Sequence, residues 1–217
     1  MSSVRVKICG ITRVRDVRNA AAAGADMLGF VFAPSPRQLT PQAAAKLAAH
    51  VPPGIVRVGL FMNPEEAQVK AVLKEVPLDL LQFHGSEDNR FCHRFGQPFI
   101  KAIAMGSEVE QADMVRLYPD AQGLLYDSHT TGDPGGSGQV FDWTLLQQGA
   151  HAIWLAGGLT PENVGAAVKL VCPWAVDVSS GVEDSPGIKN HGMVRDFIRA
   201  AKAVDIDRSV STPARRF

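Results

Sequence analysis

Short β-forming runs return eight times along this 217-residue chain, as Val4–Cys9, Met27–Phe32, Ile55–Phe61, Leu78–Phe83, Pro98–Ile103, Gly123–Asp127, Ala152–Ala156 and Ala175–Val178. The intervals, roughly 20 to 30 residues, leave room for one helix between each pair. The stretches between are rich in Ala, Leu, Lys and Glu at helical spacing, as in Arg13–Ala23, Pro41–His50, Pro64–Glu75 and Pro161–Leu170. Three of these open with Pro, whose missing N–H costs nothing in the first turn of a helix. Eight strand–helix units in a chain of this length predict an α/β protein, a single-domain (β/α)8 TIM barrel over residues 1–204. A doubly wound open sheet needs a topological switch and usually fewer strands. Residues 205–217 show no period and read as a mobile tail.

Composition removes several classes of function. Lys+Arg and Asp+Glu stand at 22 each, so no net field favours nucleic acid or an anionic membrane, and an anionic ligand must be held by local donors. The three cysteines, Cys9, Cys92 and Cys172, lack the spacing of a zinc site, and their odd number argues against a disulfide framework. The chain shows neither a signal-like opening nor an apolar run of about 18 residues. The expectation is a cytoplasmic protein with no nucleic-acid or membrane partner, either monomer or homodimer.

Strand parity aims the first candidate. In Val4–Cys9 the apolar set Val4, Val6 and Ile8 should face the helices, which leaves Lys7 and Cys9 pointing into the barrel, with Cys9 at the C-terminal end where barrel enzymes do chemistry. The same parity turns Asp177 inward on the last strand. Closure makes that strand the neighbour of the first, so a Lys7–Asp177 ion pair is predicted at the seam.

Polar groups gather at the strand ends: Cys9, Arg37, Asn63, Gln82, His84, Asp127 and Ser179–Gly181. Cys9 reads either as an inert small apolar group or as a base whose thiolate Lys7 favours. Asp127 reads either as a loop cap or as an acid kept protonated by burial. Arg37, on the proline-stiffened Pro34-Ser35-Pro36 loop, could take a carboxylate bidentately. His84 reads as a rim histidine or ligand contact rather than a proton-transfer group, with Gln82 and Asp177 as further contacts. The paired glycine loops, Gly157-Gly158 after strand seven and Ser180-Gly181 after strand eight, offer adjacent backbone N–H groups for a phosphate. The run Thr131–Gly138 has the composition of a lid.

At these residues the chain resembles phosphoribosylanthranilate isomerase, a (β/α)8 enzyme family of tryptophan biosynthesis. The matching strings are Lys7-Ile8-Cys9-Gly10-Ile11-Thr12, Ser35-Pro36-Arg37, Leu81-Gln82-Phe83-His84-Gly85, Gly135-Gly136-Ser137-Gly138, Leu155-Ala156-Gly157-Gly158-Leu159 and Val176-Asp177-Val178-Ser179-Ser180-Gly181-Val182-Glu183. The resemblance implies an Amadori rearrangement of a small-molecule phosphosugar with no metal and no organic cofactor. Cys9 would be its general base, Asp127 its general acid, Arg37 the holder of the anthranilate carboxylate and the glycine loops the phosphate site. Phe83 and Asn190 depart from the family's usual Leu and Asp, but Phe83 should face the helices and Asn caps helices too. Two rivals stay open. One is indole-glycerol-phosphate synthesis, for which Lys101 is an inward candidate acid; the other is a non-catalytic phosphosugar-binding protein.

Overall fold

The computed structural model describes residues 3–105, 111–128, 142–146 and 151–206. The first four units are β1 (Arg5–Ile8), α1 (Val14–Ala22), β2 (Met27–Val31), α2 (Pro41–Ala48), β3 (Val56–Phe61), α3 (Glu66–Glu75), β4 (Leu80–Phe83) and α4 (Asn89–His93). There follow β5 (Phe99–Ala104), α5 (Gln111–Leu117), β6 (Gly123–Asp127), β7 (Ala152–Leu155), α6 (Val164–Val171) and β8 (Ala175–Val178). A small hairpin, β9 (Glu183–Ser185) and β10 (Ile188–Lys189), precedes α7 (His191–Lys202). The strands β1 to β8 form a closed barrel in sequence order. Every neighbouring pair is parallel, including β8 with β1. All eight predicted strands are present, and the barrel expectation holds.

Parity sorts the core into an outer and an inner layer. Val6, Ile8, Leu28, Phe30, Leu81, Phe83, Leu124, Tyr126 and Val176 are buried with helix residues such as Val17, Val69, Val168 and Phe197. Phe83 stacks among Phe61, Phe91, Phe95 and Phe99 in this outer layer, as its position opposite His84 requires. Inside the barrel, Met27, Val58, Leu80, Ile100, Leu125, Trp154 and Ala175 form a separate apolar plug. Burial of each Val, Leu, Ile or Met side chain here contributes ~1.5–3 kcal/mol, and together these side chains fill the barrel below the mouth. Above the plug lie Cys9, Val31 and Ala33, with Leu60 and Met62 partly buried beside them.

The helix ends differ from the sequence expectation. Pro41 does occupy the first turn of α2, where the Thr40 hydroxyl accepts the Ala43 N–H at 3.2 Å. Pro64 and Pro161 instead lie ahead of their helices, because Glu65 and Asn163 take the N-cap positions. Asn190 caps α7 by accepting the Met193 N–H at 2.9 Å, as expected of an Asn at that position. Between β6 and β7 the described residues hold a single 3₁₀ turn, Trp143–Leu145. The candidate lid Thr131–Gly138 and residues 207–217 lie outside the described residues. Ile206, placed in the tail by sequence, is buried in the outer core layer.

Candidate active site

A cleft enclosing about 880 Å3 of empty space, part of it open solvent, sits at the C-terminal ends of the strands above the apolar plug. Cys9, Arg37, Gln82, His84 and Asp127 line it, as do Gly157, Gly158, Asp177, Ser180 and Gly181. The sequence-derived site residues thus surround one space. In barrel order, Cys9 after β1 and Asp127 at the end of β6 are separated by β7 and β8, whose glycine loops fill the arc between them.

Cys9 is buried, and the absence of a side chain at Gly29 makes room for it: a Cβ there would stand 2.7 Å from the sulfur. Below it the Lys7 ammonium donates to Asp177 at 2.7 Å, in the register that pairs these two residues across β1 and β8. The predicted seam pair is present. The thiol itself departs from expectation. Burial pushes its pKa above the ordinary 9.0, and the nearby Lys7 cation only partly offsets this. The sequence reading weighed the lysine without the cost of drying the sulfur.

Asp127 is nearly buried, and the His84 Nε2 lies 3.6 Å from its carboxylate. The Gln82 amide nitrogen stands 3.3 Å from His84 Nδ1. With that amide donating, Nδ1 accepts and the ring proton sits on Nε2, facing Asp127. Burial pulls the His84 pKa below its ordinary value, against the raising effect of Asp127, and so favours the neutral ring. His84 is therefore tied to the acid candidate as well as to the rim.

Arg37 needs a correction. Its Nε and Nη2 donate to the two carboxylate oxygens of Glu183 at 2.9 and 2.6 Å, so the bidentate edge assigned to a ligand carboxylate is already held by the chain. A ligand would meet the remaining Nη1 side. Glu183 also receives Lys189 Nζ at 2.7 Å, and Lys189 reaches the Ser179 carbonyl at 3.0 Å. Burial opposes the ionised form of Glu183, yet its two cationic partners outweigh that and hold its pKa low. Sequence reasoning saw Glu183 only as the end of a glycine string and overlooked Lys189; with Glu183 146 positions from Arg37, no local signal marks the pairing.

The glycine-loop side of the mouth is built from close backbone approaches. Gly157 and Gly158 have φ of 80° and 62°, and a Cβ on Gly157 would run into Ser128. At Gly181 a Cβ would collide with the Leu159 carbonyl. The two loops therefore interlock through glycine, with Ser180 opening a 3₁₀ turn over Ser180–Val182. Lys101 is a second correction: its register neighbours are Phe83 and Leu124, both on the helix-facing side, and its ammonium pairs with Glu87 there. It does not enter the barrel, and the rival ring-closure chemistry loses its candidate acid. Among the described residues no three His, Cys, Asp or Glu side chains are grouped to hold a metal ion, and no helix is long and apolar enough to cross a membrane.

The family model described as N-(5'phosphoribosyl)anthranilate (PRA) isomerase matches residues 6–200. The chain belongs to that family. An N-(5'-phosphoribosyl)anthranilate isomerase from Pseudomonas fluorescens (strain Pf0-1) is 50% identical over 204 residues, covering 93% of this chain and 100% of the relative. The crystal structure of phosphoribosyl anthranilate isomerase from Thermotoga maritima superposes with a TM-score of 0.82 at 39% identity, over 93% of this chain and 100% of that one. A further isomerase structure, in complex with reduced 1-(o-carboxyphenylamino)-1-deoxyribulose 5-phosphate, has a TM-score of 0.77 at 37% identity over 93% and 100% of the two chains. The phosphoribosylanthranilate isomerase family thus accounts for the barrel through all eight strands, since the matched span runs from β1 into α7.

Proposed function

We propose that this member of the phosphoribosylanthranilate isomerase family carries out the Amadori rearrangement with Asp127 as general acid and Cys9 as general base. The substrate is N-(5-phosphoribosyl)anthranilate and the product 1-(2-carboxyphenylamino)-1-deoxyribulose 5-phosphate, a step of tryptophan biosynthesis. Asp127 gives its proton to the furanose ring oxygen, and the C1–O bond breaks as the aniline nitrogen lone pair forms an iminium. Cys9 as thiolate then removes the proton from C2; those electrons form the enolamine and neutralise the iminium. Tautomerisation delivers the ketose. Oxidation at C2 and reduction at C1 balance within the one molecule, and the iminium is the electron sink.

The observation that carries this reading is one cavity lined by both Cys9 and Asp127, with the glycine loops of β7 and β8 on the arc between them. Phosphate on those loops fixes the sugar's far end, so that C1 and C2 fall between sulfur and carboxyl. The raised thiol pKa is compatible with a base because the iminium brings a positive charge beside the sulfur just when the thiolate is needed. Arg37, with its orientation set by Glu183, holds the anthranilate carboxylate through its remaining edge. The test is turnover of Cys9→Ser and Asp127→Asn, followed by loss of substrate fluorescence. Each variant is expected to lose at least ~10²-fold in kcat with little change in KM. Wild-type turnover in either would remove that residue from the mechanism.

A further inference from the structure

Behind the wall that carries His84, on the helix-facing side of the barrel, lies a buried charge pair that the chemistry does not use. Lys101 Nζ stands 3.4 Å from Glu87, and the two side chains are 2% and 3% exposed. Each partner spends its hydrogen bonds on backbone. Glu87 accepts the Gly85 N–H at 2.9 Å and the Asn63 N–H at 2.6 Å. Lys101 donates to the carbonyls of Gly85, Ala102 and, at 3.4 Å, Phe83. Phe83 and Gly85 are the two residues that flank His84.

The same grip reaches the loop after β3. Asn63 has a positive φ of 47°, a conformation unfavourable for a residue with a side chain, and its Oδ1 accepts the Ser86 N–H at 2.7 Å. A Cβ on Gly85 would approach the Asn63 nitrogen to 2.7 Å, so the loops after β3 and β4 are pressed together with little freedom to shift. A buried ion pair contributes little net stability compared with an apolar pair of similar volume. This one satisfies loop N–H and carbonyl groups that would otherwise be buried without partners.

From this geometry we infer that Lys101 and Glu87 are positioning residues: they hold the His84 segment from behind and keep its imidazole directed at Asp127. The inference rests on the proposed role of Asp127 as acid. Once Asp127 has given up its proton, the His84 Nε2–H, 3.6 Å from Asp127 Oδ2 before the reaction, has only a short way to close to steady the carboxylate left behind. A displacement of about 1 Å in that donor is enough to cost ~10²-fold in rate.

The test is a double-mutant cycle between Glu87→Gln and His84→Ala, with kcat, KM and the pH profile measured for each enzyme. Glu87→Gln alone is expected to lower kcat about 10- to 100-fold at nearly constant KM, and to shift the His84 imidazole resonances in 15N-histidine NMR. In the His84→Ala background the same substitution should change kcat less than about 2-fold. Equal losses in both backgrounds, a loss confined to KM, or unmoved imidazole resonances would each overturn the inference. If Glu87→Gln does not fold, the cycle is run with Lys101→Met/Glu87→Leu, which leaves no charge unpaired. Wild-type turnover by Asp127→Asn would instead sink the acid assignment, which separates the two failures.

Discussion

Replacing Lys7 with methionine keeps most of the side-chain volume and deletes the cation at the barrel seam. Lys7 is fully buried and Asp177 is 8% exposed, at an N–O distance of 2.7 Å, so water neither screens the pair nor rescues the widow. Asp177 Oδ1 already takes no hydrogen bond among the described residues, which leaves the carboxylate dependent on Lys7. Removing one partner of such a pair costs about 3–5 kcal/mol. At about 2–4 °C per kcal/mol for a domain of this size, the Tm should fall by about 6–20 °C. Calorimetry at neutral pH on Lys7→Met, Asp177→Leu and the double variant provides the assay. The double variant should be clearly more stable than the sum of the single losses requires, because it buries no lone charge. Single losses under about 1 kcal/mol, or strict additivity, would refute the reasoning that the seam is held by a coupled pair.

Alkylation of Cys9 by iodoacetamide in the ligand-free enzyme should show a pH midpoint above 9.0, since burial dominates its environment, and Lys7→Met should move that midpoint higher still; a midpoint below the ordinary thiol value would contradict this. Gly181→Ala drives a Cβ into the Leu159 carbonyl, so affinity for inorganic phosphate or product should drop at least about tenfold, or ~1.4 kcal/mol, and isothermal titration would detect it; unchanged affinity would detach this loop from phosphate. Asp16 is buried, which raises its pKa, but Arg13, His191 and the Lys189 N–H outweigh burial and depress it below 3.8. The stability it supplies is full above that ordinary value and lost as pH falls through the depressed folded one, so Tm should decline below about pH 4 and Asp16→Asn should flatten that acid limb.

The features legible in the sequence were those with a strict period or a local cause. Alternation in Val4–Cys9 placed Lys7 and Cys9 inside, and closure alone paired Lys7 with Asp177. Asn190 could be recognised as a cap and Phe83 as an outer residue because each follows from one neighbour's position. What sequence missed depends on which distant groups meet. Glu183 occupies the Arg37 fork from 146 positions away, a pairing that spacing does not encode. Burial of Cys9 outweighs its lysine, a balance of two opposing energies that a residue list cannot weigh. Lys101 was assigned inward through its polarity, although its strand neighbours Ile100 and Ala102 already claimed the interior.

Joining the last strand to the first also sets a timetable for biogenesis. The ammonium of Lys7 meets its carboxylate 170 positions downstream, and ribosomes add about 5–20 residues per second, so the emerging segment that bears the thiol waits roughly ten to thirty seconds for its counterpart. Until then β2 can cover that lysine and sulfur from one side only, and a nascent fragment ending before β8 lacks both the seam carboxylate and the Ser180-Gly181 loop.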